Sequence, residues 1–176
     1  LVLVMLIPTA LVSGLVTERE MRQTQVVSEV SSKWAGEQTL SGPLLLVPYK
    51  VYNKGQDGKI YESVRQACLL PEQLSIEGKL LPEVRHRSLY SVTLYRSDLH
   101  LSGKFSSFPF EKLQIPPENI KWAEARVVLG LNDARGLEEE VLLSWSGQQK
   151  VFEAGMPDNK VLSEGLSVPV ELDQAE

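Results

Sequence analysis

The chain has 176 residues, about one domain, of which 43% are apolar and 23% charged. These values exclude a disordered or wholly apolar protein. The net charge of −5 argues against nucleic-acid binding and against a polybasic membrane surface, because both need clustered Lys and Arg. The single cysteine, Cys68, excludes an intramolecular disulfide. We interpret it as a small buried hydrophobe, with a reactive thiol as the alternative.

The amino end is apolar and uncharged over residues 1–16, which read LVLVMLIPTALVSGLV. A helix of this length reaches about 24 Å, slightly short of the roughly 30 Å bilayer core. We predict a transmembrane helix truncated at its start, contacting the lipid bilayer through residues 1–16. A cleaved signal peptide and a buried core helix remain alternatives. The first two interpretations place the following domain outside the cytoplasm.

A polar helix is predicted to follow over residues 17–40. Val26, Val30 and Trp34 recur at four-residue spacing, and Gly36 and Gly42 end the pattern. We expect a membrane-proximal amphipathic helix that acts as a docking spacer, with partner binding as the alternative. The flank after residue 17 mixes acids and bases, which suits the outer side of a membrane.

Beyond Gly42 the hydrophobic period changes from about four residues to two. A strand hairpin is predicted over residues 43–70, because the loop at 53–58 contains two glycines. Pro43 and Pro48 suggest that its first strand lies at a sheet edge or ends there, since proline lacks an N–H. Further alternating runs, each with one buried and one solvated side, occupy residues 74–80, 90–95, 99–105, 123–131 and 141–145.

Short strands at roughly 8–12-residue spacing, separated by turn signals, predict a mainly β, antiparallel, sandwich-like domain. We assign it to residues 41–176. The polar tail at 171–176 leads us to expect that the domain is incomplete at its carboxyl end.

No residue of the sequence is predicted to be catalytic, cofactor-binding or metal-binding. His86 and His100 are isolated surface imidazoles, and the run at 138–140 is a solvated acidic turn. We interpret residues 133–136 as a tight turn that needs Gly136. A functional loop, in which Asp133 and Arg135 pair or Arg135 binds an anion, is the alternative. We expect a further set of side chains to cover the surface of a sheet, with the arginine stems packed flat: Arg85, Arg87, Tyr90, Tyr95 and Arg96. A mixed basic and aromatic face is the alternative.

Five motifs in order carry a family resemblance. They are SGPLLLVP at 41–48, LPEQLSIEG at 70–78, RHRSLYSVTLY at 85–95, LHLSGKF at 99–105 and DARGL at 133–137. Together with the amino-terminal span, they make the chain from Leu6 to about Leu143 similar to the CreD family of bacterial inner-membrane proteins. The family often has Arg-Gly-Ile-Tyr where this chain has residues 87–90, a departure that affects no known site.

The resemblance implies an amino-terminal span, a large periplasmic domain and a carboxyl-terminal group of membrane helices that this chain lacks. It also implies the inner membrane as location, with residues after about 17 in the periplasm. The family is associated with cell envelope integrity, colicin tolerance and a two-component stress response. No catalytic residues are established for it.

Three hypotheses of function follow. The first is a non-enzymatic inner-membrane protein that contributes to envelope integrity through unidentified envelope protein or lipid partners. The second is a membrane-anchored periplasmic module that binds or senses a ligand, which an apolar, ligand-sized pocket would favour. The third is an enzyme, which would need a cluster of titratable groups that the sequence does not contain.

Overall fold

The computed structural model describes residues 2–33, 36–107 and 110–172. Within them, the side chains of residues 2–7, 9, 10, 110 and 111 lie outside the description. The chain divides into two compact units. Unit 1 contains Leu1–Glu37 and Gly78–Leu99, and unit 2 contains Gln38–Glu77 and His100–Glu176.

A single helix, α1, extends over Val2–Lys33 and belongs to unit 1. It therefore covers both the apolar residues 2–16 and the polar residues that follow them. The N–H of Gly36 donates to the carbonyl of Ser31 at 2.8 Å and satisfies one of the last helix carbonyls. Val30, from the predicted apolar series, is buried, whereas Trp34 lies outside the described residues.

In the part of the chain that the structure describes, no helix contains an apolar stretch long enough to cross a membrane. The predicted anchor of residues 1–16 falls largely on side chains outside that part.

Beyond α1, the described residues form nine strands and one short helix. The strands are β1 Leu40–Lys54, β2 Ile60–Leu69, β3 Gln73–Arg87, β4 Tyr90–Lys104, β5 Arg126–Leu131, β6 Leu142–Trp145, β7 Gln148–Val151, β8 Glu153–Ala154 and β9 Gly165–Pro169. Helix α2 is Phe110–Leu113, and 3₁₀ turns occupy Pro117–Asn119, Trp122–Glu124 and Ala134–Gly136. The predicted mainly β, antiparallel class is confirmed.

Unit 2 is built on a five-stranded sheet of order β2-β1-β5-β9-β8. The prolines of β1 predicted a sheet edge or a strand end. The edge is wrong for the strand as a whole, because β1 pairs with β2 on one side and β5 on the other. Both prolines avoid the ladder that β1 forms with β5. Pro43 lies in a register shift between Ser41 and Leu44, and Pro48 lies beyond the last pair, Leu46↔Arg126.

The strand β5 is buried on both faces, not on alternate residues only. Leu45, Val127 and Val168 are register partners across β1, β5 and β9 and form a row on one face. On the other face, Leu44 and Val128 are register partners and pack with Leu46. A strand with sheet neighbours on both sides and apolar layers on both faces is the centre of the core.

The larger apolar cluster is completed by small elements, not by a second large sheet. The hairpin of β6 and β7 contributes Leu143 and Trp145, and Trp145 lies 6.0 Å from Phe105 between ring centroids. Among the described residues, the remaining sheets have two strands each. In place of the expected sandwich of two sheets, one five-stranded sheet is covered by a hairpin and connecting segments. The hairpin is too small to be a second layer, because β6 and β7 have only four residues each.

The strands β3 and β4 form a separate two-stranded sheet whose residues are divided between the units. In unit 1 its apolar residues are mostly exposed: Leu80 is 69% exposed, and Leu89 in the turn is 93% exposed. The alternation predicted a buried side for these strands. Val92 is buried as expected, but Ile76 and Leu80, which were expected on the buried side of β3, are exposed.

Candidate functional surfaces

The turn end of the β3–β4 hairpin is basic in an acidic protein. Residues 78–99 contain four Lys and Arg side chains and two acids, whereas the whole chain contains 18 Lys and Arg and 23 Asp and Glu. This segment includes the arginines that the sequence analysis flagged. Their partners decide whether they form one ligand-binding face.

Two of the three arginines, Arg85 and Arg87, lie in separate ion pairs. Arg87 Nη2 lies 2.7 Å from Glu29 Oε1 on α1, and Arg85 Nη2 lies 2.6 Å from Glu83 Oε1. His86 Nδ1 forms a hydrogen bond with Ser91 Oγ at 3.0 Å. The structure therefore favours the sheet-covering interpretation over a convergent basic and aromatic face. The contact between Arg87 and α1 has no signal in the sequence, since 58 positions separate the two residues.

Beside these pairs lies an apolar surface. Its members in unit 1 are Leu80, Val84, Leu89, Tyr95 and Leu99, which are all exposed. We name this set the apolar hairpin surface. Leu81 is also exposed but points to the opposite face of β3. An exposed apolar set of this size is typical of an interaction site, because monomeric proteins rarely leave large apolar patches in water.

The residues 133–136 form the predicted turn, and the side chains of Asp133 and Arg135 pair, as the alternative interpretation had it. Asp133 Oδ1 accepts hydrogen bonds from the Arg135 backbone N–H and Nε, both at 3.0 Å, and Oδ2 accepts from Nη2 at 2.7 Å. These bonds to the Arg135 side chain and N–H lower the pKa of Asp133 below its usual value. The guanidinium is engaged by the Asp133 carboxylate although its side chain is 81% exposed, so the structure favours a structural turn over an anion-binding loop.

A charged cluster on β1 and β2 was missed from the sequence. Lys50 Nζ lies 2.9 Å from Glu62 Oε1, and the register places Tyr52 directly opposite Glu62. The Lys50 ammonium lowers the pKa of Glu62, and Glu62 raises that of Lys50. Lys121 pairs with Glu124 at 2.8 Å, and its charge also lowers the pKa of Glu62. Exact alignment of the 43–70 hairpin would have revealed the Lys50–Glu62 pair.

The prediction that Cys68 is buried is wrong: its side chain is exposed on β2. Its strand, β2, is one of the two outer strands of the sheet, so a neighbouring strand lies on one side only. Partial burial raises the pKa of the Cys68 thiol, which makes it a weaker nucleophile at neutral pH. Among the described residues, no group of three His, Cys, Asp or Glu side chains is arranged to hold a metal ion.

A shallow groove of about 430 Å³ follows the polar part of α1. Its lining comes from one helix alone and consists of Thr17, Glu20, Met21, Thr24, Gln25 and Ser28. A ligand there would contact a single side of one helix, whereas small-molecule sites enclose most of their ligand. The groove does not supply the pocket that the ligand-binding hypothesis needs.

Comparison with known proteins gives two matches. The profile of the family described as "Inner membrane protein CreD" matches residues 1–176. The chain is 30% identical over 139 residues to the inner membrane protein CreD of Escherichia coli (strain K12), covering 77% of this chain and 30% of that protein. The chain thus spans 30% of the length of this curated relative. No solved structure matches the chain. The resemblance drawn from the five sequence motifs is confirmed.

Proposed function

Because the chain belongs to the CreD family of inner membrane proteins, we propose that it is a membrane-anchored, non-enzymatic part of the cell envelope. In this proposal, residues 1–16 lie in the bilayer, and the residues after about 17 lie in the periplasm. The β-rich domain contributes to envelope integrity and the stress response by contacting other envelope components.

The proposed membrane anchor is supported by one observation: α1 is continuous from its apolar part into its polar part. Its 32 residues correspond to about 48 Å of helix. In the apolar part the described side chains Leu11, Val12, Leu15 and Val16 are all more than half exposed. Lipid would cover these side chains, whereas in water they would form an unfavourable apolar patch.

The periplasmic orientation is supported by charge. The first turns after the apolar part contain Glu18, Arg19, Glu20 and Arg22, so acids and bases balance there. Cytoplasmic flanks of membrane helices carry an excess of Lys and Arg, which this flank lacks.

The non-enzymatic role is supported by how the titratable side chains are engaged. His86 is hydrogen-bonded to Ser91, Glu62 is paired with Lys50, and Asp133 is paired with Arg135. Each pair lies in a different part of the chain. The apolar hairpin surface offers a contact area for a partner instead.

The proposal is tested by membrane fractionation combined with external protease on spheroplasts that express the chain with a carboxyl-terminal tag. We expect the tag in the membrane pellet and its removal by the protease. A soluble, protease-protected chain would refute both the anchor and the orientation. A soluble periplasmic chain shortened at its amino end would instead establish the cleaved signal peptide.

Matched variants identify the anchoring residues. Leu11→Asp combined with Leu15→Asp should release the chain from the membrane, because charges are expensive in the bilayer core. The same pair of changes at Leu80 and Val84, which lie on the apolar hairpin surface, should leave it in the pellet. The envelope role is tested separately, by uptake of an impermeant dye in cells that lack the gene and carry either variant. The proposal expects dye uptake with both variants and a tight envelope with the unaltered chain.

A further inference from the structure

The strand β2 forms one outer edge of the five-stranded sheet and is ten residues long. The opposite edge, β8, has two residues, Glu153–Ala154. Short edge strands are a common protection against unwanted pairing, whereas a long regular edge presents a row of free N–H and C=O groups to another strand. The two edges of this sheet therefore differ in what they offer to a partner.

The edge at β2 is regular and accessible. Its pairing with β1 continues without a register shift from Leu45↔Leu69 to Lys54↔Ile60. The sequence IYESVRQACL contains no proline or glycine that would interrupt its pairing. Its two charged residues, Glu62 and Arg65, restrict which strand can pair with it. Ile60 is 72% exposed and Val64 52% exposed. Among the described residues, no strand pairs with this outer side.

We propose that β2 pairs with the β2 of a second copy of this chain, antiparallel and centred on Val64, to form a continuous ten-stranded sheet. In antiparallel pairs, opposite residues point to the same face. The register centred on Val64 places Glu62 opposite the Gln66 of the second copy, where the Gln66 amide donates to the carboxylate. It also places Ile60 opposite Cys68 and Ser63 opposite Arg65.

Charge selects this register over its neighbours. A pairing centred on Glu62 opposes two carboxylates, and one centred on Arg65 opposes two guanidinium groups; like charges directly opposite are destabilising. A pairing centred on Ser63 sets the Glu62 carboxylate against Val64. The register centred on Val64 opposes no like charges and stacks two exposed valines.

The occupant is a second copy and not an unrelated extended segment, because β2 is complementary to itself over the residues from 60 to 68. A single strand pair buries less surface than the roughly 1,200 Å² of a stable interface. The dimer is therefore short-lived in dilute solution, and a covalent trap detects it best.

The test uses cysteine cross-linking in cells that express the full chain. Opposite residues of antiparallel strands have Cα atoms about 4.5–5.5 Å apart, within the span of a disulfide. The variant Val64→Cys with Cys68→Ser should form a disulfide-linked dimer under mild oxidation, seen as doubled mass on a non-reducing gel. Ile60→Cys with native Cys68 should do the same, through two bonds.

Two controls fix the register. Tyr61→Cys with Cys68→Ser should remain monomeric, since the two Tyr61 positions lie six residues apart along the paired strands. The unaltered chain should also remain monomeric, because its two Cys68 residues lie eight positions apart. Val64→Cys that stays monomeric although its thiol reacts with a maleimide would overturn the proposal. So would a Tyr61→Cys dimer as abundant as the Val64→Cys dimer, or a cross-link to a different protein.

Discussion

Arg87, at the end of β3, forms an ion pair with Glu29 on α1, with 2.7 Å between Nη2 and Oε1. Glu29 also lies 3.5 Å from Lys33 Nζ, four residues along the helix. The carboxylate of Glu29 thus serves two cations. Val30, the neighbour of Glu29, is buried, as is Val92 on β4. The ion pair ties the turn end of the hairpin to the last turns of α1.

We expect the Arg87–Glu29 pair to stabilise unit 1 by about 0.2–1 kcal/mol, because both side chains are partly exposed. A double-mutant cycle with Glu29→Gln and Arg87→Gln, followed by chemical unfolding, measures this coupling. It should shrink at high salt as the charges are screened. A cycle on Arg22 and Glu18, which pair within α1, is the control for a pair local to the helix. Zero coupling at low salt would contradict the contact.

The core prediction concerns Leu46, which is buried between β2 and β5. Leu46→Ala should lower the free energy of unfolding by about 2–5 kcal/mol, since it removes buried methyl groups and leaves a cavity. Leu80→Ala, on the apolar hairpin surface, should change it by less than about 0.5 kcal/mol. Chemical denaturation measures both. Equal losses would show that Leu80 is covered in the folded protein.

Gly165 begins β9 with φ at +152°, a conformation that other residues rarely adopt. A Cβ there would collide with the backbone carbonyl oxygen of Leu129 on the neighbouring strand β5. Gly165→Ala should therefore destabilise the sheet by more than about 3 kcal/mol, the upper range of ordinary substitutions. Gly36 also has a positive φ, but a Cβ there would meet open space. Gly36→Ala should therefore lower the free energy of unfolding by only about 1 kcal/mol. Thermal unfolding of the two variants tests the difference.

The titration of Asp133 tests the turn at Ala134–Gly136. Arg135 lowers the pKa of Asp133 in the folded state. The pairing therefore favours folding at pH above the ordinary carboxyl pKa, and this contribution disappears as the pH falls through the lowered value. Arg135→Gln should raise the pKa of Asp133, measured by carboxyl ¹³C shifts. The pKa of Asp57, which Tyr61 lowers, should stay unchanged. If the pKa of Asp133 stayed the same in Arg135→Gln, the bidentate pair would be absent in solution.

Local signals predicted the local structure. The hairpin of β1 and β2 follows from the glycine-containing turn at 53–58 between two apolar runs, and the turn at 133–136 follows from its Asn, Asp and Gly residues. Both involve neighbours in sequence, so local geometry determines them. The central place of β1 was mispredicted because its partner β5 lies about 80 residues away, and no local signal identifies such a partner.

Burial was harder to predict than strand position. Alternation in β3 and β4 located both strands, but a period of two does not say whether anything covers the apolar side. The structure leaves Ile76 and Leu80 exposed and Cys68 at an edge. Candidate surfaces depend on such neighbours, which is why the apolar hairpin surface and the β2 edge emerged only from the fold.

The central claim, an anchored chain with its β domain in the periplasm, is tested most directly by labelling Cys68. This residue is the single cysteine of the chain, and it is exposed. A membrane-impermeant maleimide is added to intact spheroplasts at mildly alkaline pH, because the pKa of the thiol is raised. Gln56→Cys with Cys68→Ser moves the thiol to the exposed β1–β2 turn as a control. The account predicts labelling of both chains in the membrane fraction without permeabilisation; labelling only after lysis would contradict it.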